Sequence, residues 1–195
     1  MNILITGASR GIGAAAFELL KSSGHTVVGH SSRGSDELVA GELTDPAAPR
    51  DIWDTALDEL GGRIDVLVNS AGVNVQKRSM AELSPDDWDF LVRVNATGAY
   101  NCIRSVLPQM RERRDGVIVN VSSVAGRRGW ANAAAYCAAK FALTGFTQAL
   151  AAEGRPHGIR ACVLYPGAMD TSWGVWSPQD RGTGQPMAAP QALAP

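Results

Sequence analysis

The chain has 195 residues, 45% of them apolar and 19% charged, which is enough to bury a core and excludes a fibrous or intrinsically disordered polymer. Eighteen basic residues against nineteen acidic ones give a net charge of -1, so there is no electrostatic footprint for nucleic acid or an anionic membrane surface. No apolar run approaches the roughly 20 residues of a membrane helix, and the expected partners are small molecules.

Asn2 to Thr6 is a short apolar run that ends at a glycine-rich turn, and Gly11 to Lys21 then carries Ile12, Ala15, Ala16, Leu19 and Leu20 at helical spacing. Met1 enters this strand directly, without a basic and apolar leader, so the expected location is cytoplasmic. In the turn, Gly7, Gly11 and Gly13 would let the backbone approach a pyrophosphate, and the following helix offers free N–H groups and the positive end of its dipole. A glycine cluster alone could be a plain tight turn. Its place after the first strand favours cofactor binding.

Thr26 to His30 makes a second strand, followed by a stub of helix expected around Ser35 to Ala40. Asp65 to Asn69, Val117 to Val121 and Ile159 to Leu164 are further strands, β-branched and continuously apolar as in parallel sheets covered on both faces. Ser84-Pro85-Asp86-Asp87 supplies an N-cap, a proline in the first turn and two acids, which predicts a helix running towards Arg113. A second long helix, rich in alanine, is predicted from Trp130 to Glu153. From Trp173 onward the periodicity is lost, and residues 172–195 are expected to be an irregular tail or lid. The alternation of strand and helix predicts one doubly wound α/β domain over residues 1–195, with ligands beyond the carboxyl ends of the strands.

Within the second long helix, Tyr136 and Lys140 lie four residues apart, about one turn, so a phenol and an ammonium project from one face and the cation favours the phenolate. Cys102, Cys137 and Cys162 are odd in number and lack metal-ligand spacing, and they read as three buried thiols in a reduced compartment. His25, His30 and His157 form no cluster with carboxylates or cysteines, so no metal site is expected.

Thr6-Gly7-x-x-x-Gly11-x-Gly13, Asn69-Ser70-Ala71-Gly72, Asn95, Ser123, Tyr136-x-x-x-Lys140 and Pro166-Gly167-x-x-x-Thr171 resemble the short-chain dehydrogenase/reductase family in its compact form, and within it 3-oxoacyl reductase-like members. The resemblance spans residues 1 to about 171. It implies a Rossmann-type sheet of about six strands in the order 3-2-1-4-5-6, with a seventh strand missing because the chain is shorter than most members. It also implies a catalytic set of Asn95, Ser123, Tyr136 and Lys140. Tyr136 would be the acid–base group, Ser123 would hold the substrate oxygen, Lys140 would bond the cofactor ribose, and Asn95 would bind a water that relays protons to the lysine. Gly7, Ser9, Arg10, Gly11, Ile12 and Gly13 would surround the pyrophosphate. Asn69, Ala71 and Gly72 would border the adenosine ribose, Glu42 and Leu43 the adenine, and Pro166, Gly167 and Thr171 the nicotinamide.

The cofactor choice turns on the end of the second strand, where an acid would accept from the ribose 2′-hydroxyl and repel a 2′-phosphate. This chain has His30-Ser31-Ser32-Arg33 there, and Arg33 with Arg10 could meet a phosphate, so NADP(H) is favoured over NAD(H), with Ser31 and Ser32 in the same loop. Trp130, Met169, Trp173 and Trp176 could wall the substrate pocket, or equally be core tryptophans. The resemblance also implies a homodimer through the helices of residues 84–113 and 130–153. The expected activity is NADPH-dependent reduction of a ketone or aldehyde. Oxidation of a cyclic or sugar alcohol is the alternative enzyme reading, and a non-catalytic NADP-binding regulator or scaffold the alternative of another class.

Overall fold

The computed structural model describes residues 1–74 and 78–167. Thr171, Met169, Trp173, Trp176 and the tail, and with them the question of a seventh strand, lie outside the described residues.

Six parallel strands form one sheet: β1 (Asn2–Thr6), β2 (Thr26–Ser31), β3 (Leu38–Ala40), β4 (Val66–Asn69), β5 (Gly116–Val121) and β6 (Ile159–Leu164), in the order β3-β2-β1-β4-β5-β6. This is the Rossmann-type order that was expected. The register puts Thr6 beside both His30 and Asn69, and Asn69 beside Asn120, so the strands end at a common carboxyl edge. The winding direction reverses between β1 and β4, the point at which open sheets of this kind place their ligands.

Alternation along each strand sorts the core. Ile3 and Ile5 face α1 (Gly11–Ser22) through Phe17, while Leu4, Val28, Leu67 and Ile118 face the opposite layer. That layer consists of α2 (Ala48–Glu59), which contributes Ile52, Trp53 and Ala56, and α4 (Gly98–Arg113), which contributes Ile103, Val106 and Met110. Burial of these apolar side chains is the main stabilising term. Helix α2 was not among the predicted elements, although Ile52, Ala56 and Leu60 repeat at four-residue intervals.

The run predicted from Ser84 begins as α3 (Pro85–Val92), with the Ser84 hydroxyl accepting from the Asp87 amide at 3.1 Å. It widens into a π-helical turn over Arg93–Thr97 and continues as α4. The predicted second helix is α5 (Ala134–Gly154), four residues shorter at its start because Asn132 takes a left-handed conformation, φ 62°, that a helix cannot contain.

Two expectations are corrected. Ser35 to Ala40 is not helical. Its last three residues form β3, because a turn at Gly34 returns the chain to β2 and Leu38 packs over Gly29, where a Cβ would lie 2.4 Å from its Cδ2. Cys162 is exposed, since alternate residues of β6, the last strand in the order among the described residues, face outward, whereas Cys102 and Cys137 are buried.

Candidate active site

Strand β5 ends at Val121, and the chain stays extended through Ser123, at φ -167° and ψ 164°. The Ser123 hydroxyl accepts from the Ala125 amide at 3.1 Å and thereby caps a short 3-10 turn, Val124–Gly126. Tyr136, in the first turn of α5, is buried, and its phenol is hydrogen-bonded to Ser123. One turn further along, Lys140 is also buried. Its Nζ donates to the Val121 carbonyl at 3.0 Å and lies 5.7 Å from the Tyr136 ring centroid.

The electrostatics differ from the simple expectation of a lysine lowering a phenol. Burial holds Tyr136 above its ordinary pKa, with the Ser123 bond pulling the other way. Burial also pushes Lys140 down to about 8. The Lys140 ammonium sits beside the ring without a bond to the hydroxyl, so desolvation dominates both groups.

Asn95 falls inside the π-helical turn and is almost fully buried. Its Nδ2 donates to the Leu91 and Val73 carbonyls, each at 2.9 Å, and its Oδ1 accepts from the Val73 amide at 3.2 Å. The wide turn aims this carboxamide at the loop after β4 and pairs both main-chain groups of Val73. Gly72 completes the contact: a Cβ there would meet Asn95 Oδ1 at 2.9 Å and Lys140 Nζ at 3.5 Å. Asn95 and Lys140 therefore flank one point of the loop.

The glycine turn is equally tight. Gly7 has φ +71°, and a Cβ there would stand 2.6 Å from the backbone of Ala71; one on Gly13 would stand 2.2 Å from the Gly7 carbonyl oxygen. Gly11, also at positive φ, and Ile12 open α1, whose N-terminus has no side-chain cap, and Ser9 and Arg10 lie exposed beside it. A diphosphate fits such a cradle, since glycine contours and free helix N–H groups are what it needs.

At the neighbouring strand ends, the Ser31 hydroxyl is engaged, accepting from the Gly34 amide at 3.0 Å, while Ser32 and Arg33 are exposed. His30 Nε2 meets the Gly41 carbonyl oxygen at 3.0 Å. Glu42 is exposed and accepts from Thr44, and Leu43 is buried with its carbonyl accepting from Asn101 Nδ2 at 2.9 Å. Asn69 donates to Asn120, which donates to Thr147 of α5, both at 2.8 Å. Pro166 and Gly167 follow β6, and the Pro166 carbonyl accepts from the Val124 amide at 3.0 Å, beside Ser123. The structure thus gathers every predicted site residue except Thr171 along the carboxyl edge. Trp130 is exposed on the loop before α5.

Asn101, Asn120 and Thr147 were not singled out from the sequence. Each is a buried polar residue in an otherwise apolar stretch, which is the signal that could have marked them. No group of His, Cys, Asp or Glu among the described residues is arranged to hold a metal.

A short chain dehydrogenase family model matches residues 1–181. The chain is 37% identical over 179 residues to an acetoacetyl-CoA reductase of Shinella zoogloeoides, covering 86% of this chain and 73% of that one. A solved 3-ketoacyl-(acyl-carrier-protein) reductase from Brucella melitensis, complexed with NADH, superposes with a TM-score of 0.83 at 30% identity, covering 87% of this chain and 76% of that one. ElxO with NADP bound gives a TM-score of 0.80 at 29% identity, covering 88% and 75%. Against relatives of this kind the chain spans between 65% and 76% of their length. Because the matched stretch includes the whole sheet and the residues gathered at its carboxyl edge, the chain belongs to the short chain dehydrogenase family.

Proposed function

We propose that the protein is an NADP(H)-dependent carbonyl reductase, with a ketone or aldehyde as substrate and Tyr136 as its proton donor. The observation that carries this reading is the buried Ser123–Tyr136 hydrogen bond with Lys140 one helical turn away. Bound nicotinamide would supply the hydride. The chain's own residues supply the rest: Ser123 orients the carbonyl oxygen, and Tyr136, protonated at neutral pH as an ordinary phenol is and kept so by burial, gives its phenolic proton to that oxygen. Lys140, whose ammonium has three protons to give, would donate to the cofactor's ribose hydroxyls while keeping its bond to the Val121 carbonyl, and Asn95 would hold the Val73 loop beside that ribose.

The glycine cradle supports a dinucleotide, and relatives of this chain are named as reductases of oxoacyl thioesters. One solved neighbour holds NADH and another NADP. Exposed Arg10 and Arg33 together with the lack of an acid at positions 31–33 favour NADP(H). The exposed aromatics Trp88, Phe90, Tyr100 and Phe141 on α3, α4 and α5 support a homodimer through these helices. No helix among the described residues is long and apolar enough to cross a membrane, and a cytoplasmic location without nucleic-acid partners completes the proposal.

NADPH and NADH titrations followed by a carbonyl panel test the reading. NADPH binding with turnover is expected, and Tyr136→Phe should lower turnover at least roughly 1,000-fold while NADPH binding stays within about threefold. Unchanged turnover in that variant would remove the mechanism, and cofactor binding without turnover on any carbonyl would favour the regulator.

A further inference from the structure

We infer that Ser122 and Thr144, to which the mechanism above assigns no part, act as positioning residues that clamp the catalytic turn of α5 onto the segment carrying Ser123; the catalytic consequence rests on the proposed reductase function. Lys140 is gripped at both ends by consecutive residues. Its Nζ donates to the Val121 carbonyl at 3.0 Å, and its own carbonyl accepts from the Ser122 hydroxyl, also at 3.0 Å. Ser122 is buried, and its amide donates to the Leu164 carbonyl of β6, so the hydroxyl is presented from a fixed backbone.

Thr144 forms the second half. Its Oγ1 lies 3.0 Å from the Lys140 carbonyl oxygen, 3.2 Å from the Gly126 carbonyl oxygen and 3.5 Å from Ser122 Oγ. A hydroxyl has one proton to give, and a carbonyl oxygen has two lone pairs, one of which the helical N–H takes. With Ser122 donating to the Lys140 carbonyl, the Thr144 proton is free for Gly126. Two hydroxyls thus hold two carbonyls, one on α5 and one on the turn beyond Ser123, and Ser123 lies between the two attachment points.

Residue 126 has to be glycine for this to form. A Cβ there would stand 2.3 Å from Ser122 Oγ, 2.7 Å from the Lys140 carbonyl oxygen and 2.9 Å from Thr144 Oγ1. The turn is therefore pressed onto the helix at the clamp itself. The Ser123–Tyr136 separation is set by this contact, and a small misplacement of reacting groups is costly in rate.

The test uses the full chain, with Ser122→Ala and Thr144→Val as near-isosteric removals of one oxygen each and Thr144→Ser as the variant that keeps the hydroxyl. Turnover is read with NADPH and a carbonyl substrate. Independently, Tyr136 is titrated by NMR in protein labelled with ¹³Cζ-tyrosine, its resonance identified by loss in Tyr136→Phe. Each removal should lower kcat roughly 5- to 20-fold with KM and NADPH Kd within twofold, and displace the Tyr136 titration by at least about half a pH unit. Thr144→Ser should restore both. Wild-type kcat and titration in the two removal variants would overturn the clamp, as would losses shared equally by kcat, KM and Kd with an unmoved Tyr136. If the wild-type chain turns over no carbonyl, the functional reading fails, and the titration still decides the clamp.

Discussion

Lys140 donates from its buried Nζ to the main-chain carbonyl of Val121 at 3.0 Å, so the ammonium is tied to the end of β5 rather than to the Tyr136 hydroxyl beside it. One neutral carbonyl is weak compensation for taking a cation out of water, which is why burial pushes Lys140 down to about 8.

The folded state binds the Lys140 proton less tightly than the unfolded chain, whose lysine keeps its ordinary value of 10.5. Between about pH 8 and 10.5 the unfolded chain therefore holds more protons, and folding stability rises with pH across that window, by at most on the order of 3 kcal/mol. Thermal melts at pH 7.5 and 9.5 should show a gain in wild type that Lys140→Met lacks. Tyr136, held above its ordinary 10, opposes this only at the alkaline end.

His30 carries a second pH effect, of the same sign at lower pH. Burial lowers its pKa from 6.5, with the Gly41 carbonyl and Glu42 opposing, and its Nδ1 has no hydrogen-bond partner. The unfolded chain takes up the proton first as pH falls below 6.5, so stability is full above that value and is lost progressively beneath it. Urea unfolding at pH 7.5 and 5.5 should show a loss that His30→Gln reduces.

Gly13→Ala should abolish the nucleotide site. The new Cβ would press on the Gly7 carbonyl oxygen at 2.2 Å, and backbone cannot rotate away as a side chain would. NADPH binding, followed by fluorescence, is expected to fall more than roughly 30-fold, with about 1–3 kcal/mol of stability lost to overpacking.

Arg33→Asp should reverse cofactor preference. An acid at this exposed position would repel a 2′-phosphate and accept from a 2′-hydroxyl. NADPH affinity should drop roughly 10- to 100-fold, in line with loss of a charge-assisted bond, while NADH affinity holds or rises; parallel titrations of both nucleotides decide it.

Much of this site could be read from spacing because its parts are local. The turn from Gly7 to Gly13 and the pair Tyr136 and Lys140 each lie within one or two turns of chain, and the family likeness supplied Asn95 and Ser123. What stayed hidden depends on contacts between distant segments. Leu38–Ala40 has no strand signature of its own and becomes β3 only because Gly29 makes room for Leu38. Ser122 and Thr144 are ordinary small polar residues until α5 is laid against β5, and the rise in the Tyr136 pKa reflects packing that a four-residue interval cannot reveal.

The wide turn at Arg93–Thr97 also acts as a phase shift in a long rod. Each extra residue rotates everything downstream by about 100°, so α3 and α4 present two separately indexed faces though they share one axis of chain. Asn95 can look towards Val73 while Asn101, Cys102 and Val106 still turn into the core. Shortening this turn by one residue would leave a perfectly good helix whose two halves could no longer both be seated, so the residue count here matters as much as the identity of Asn95.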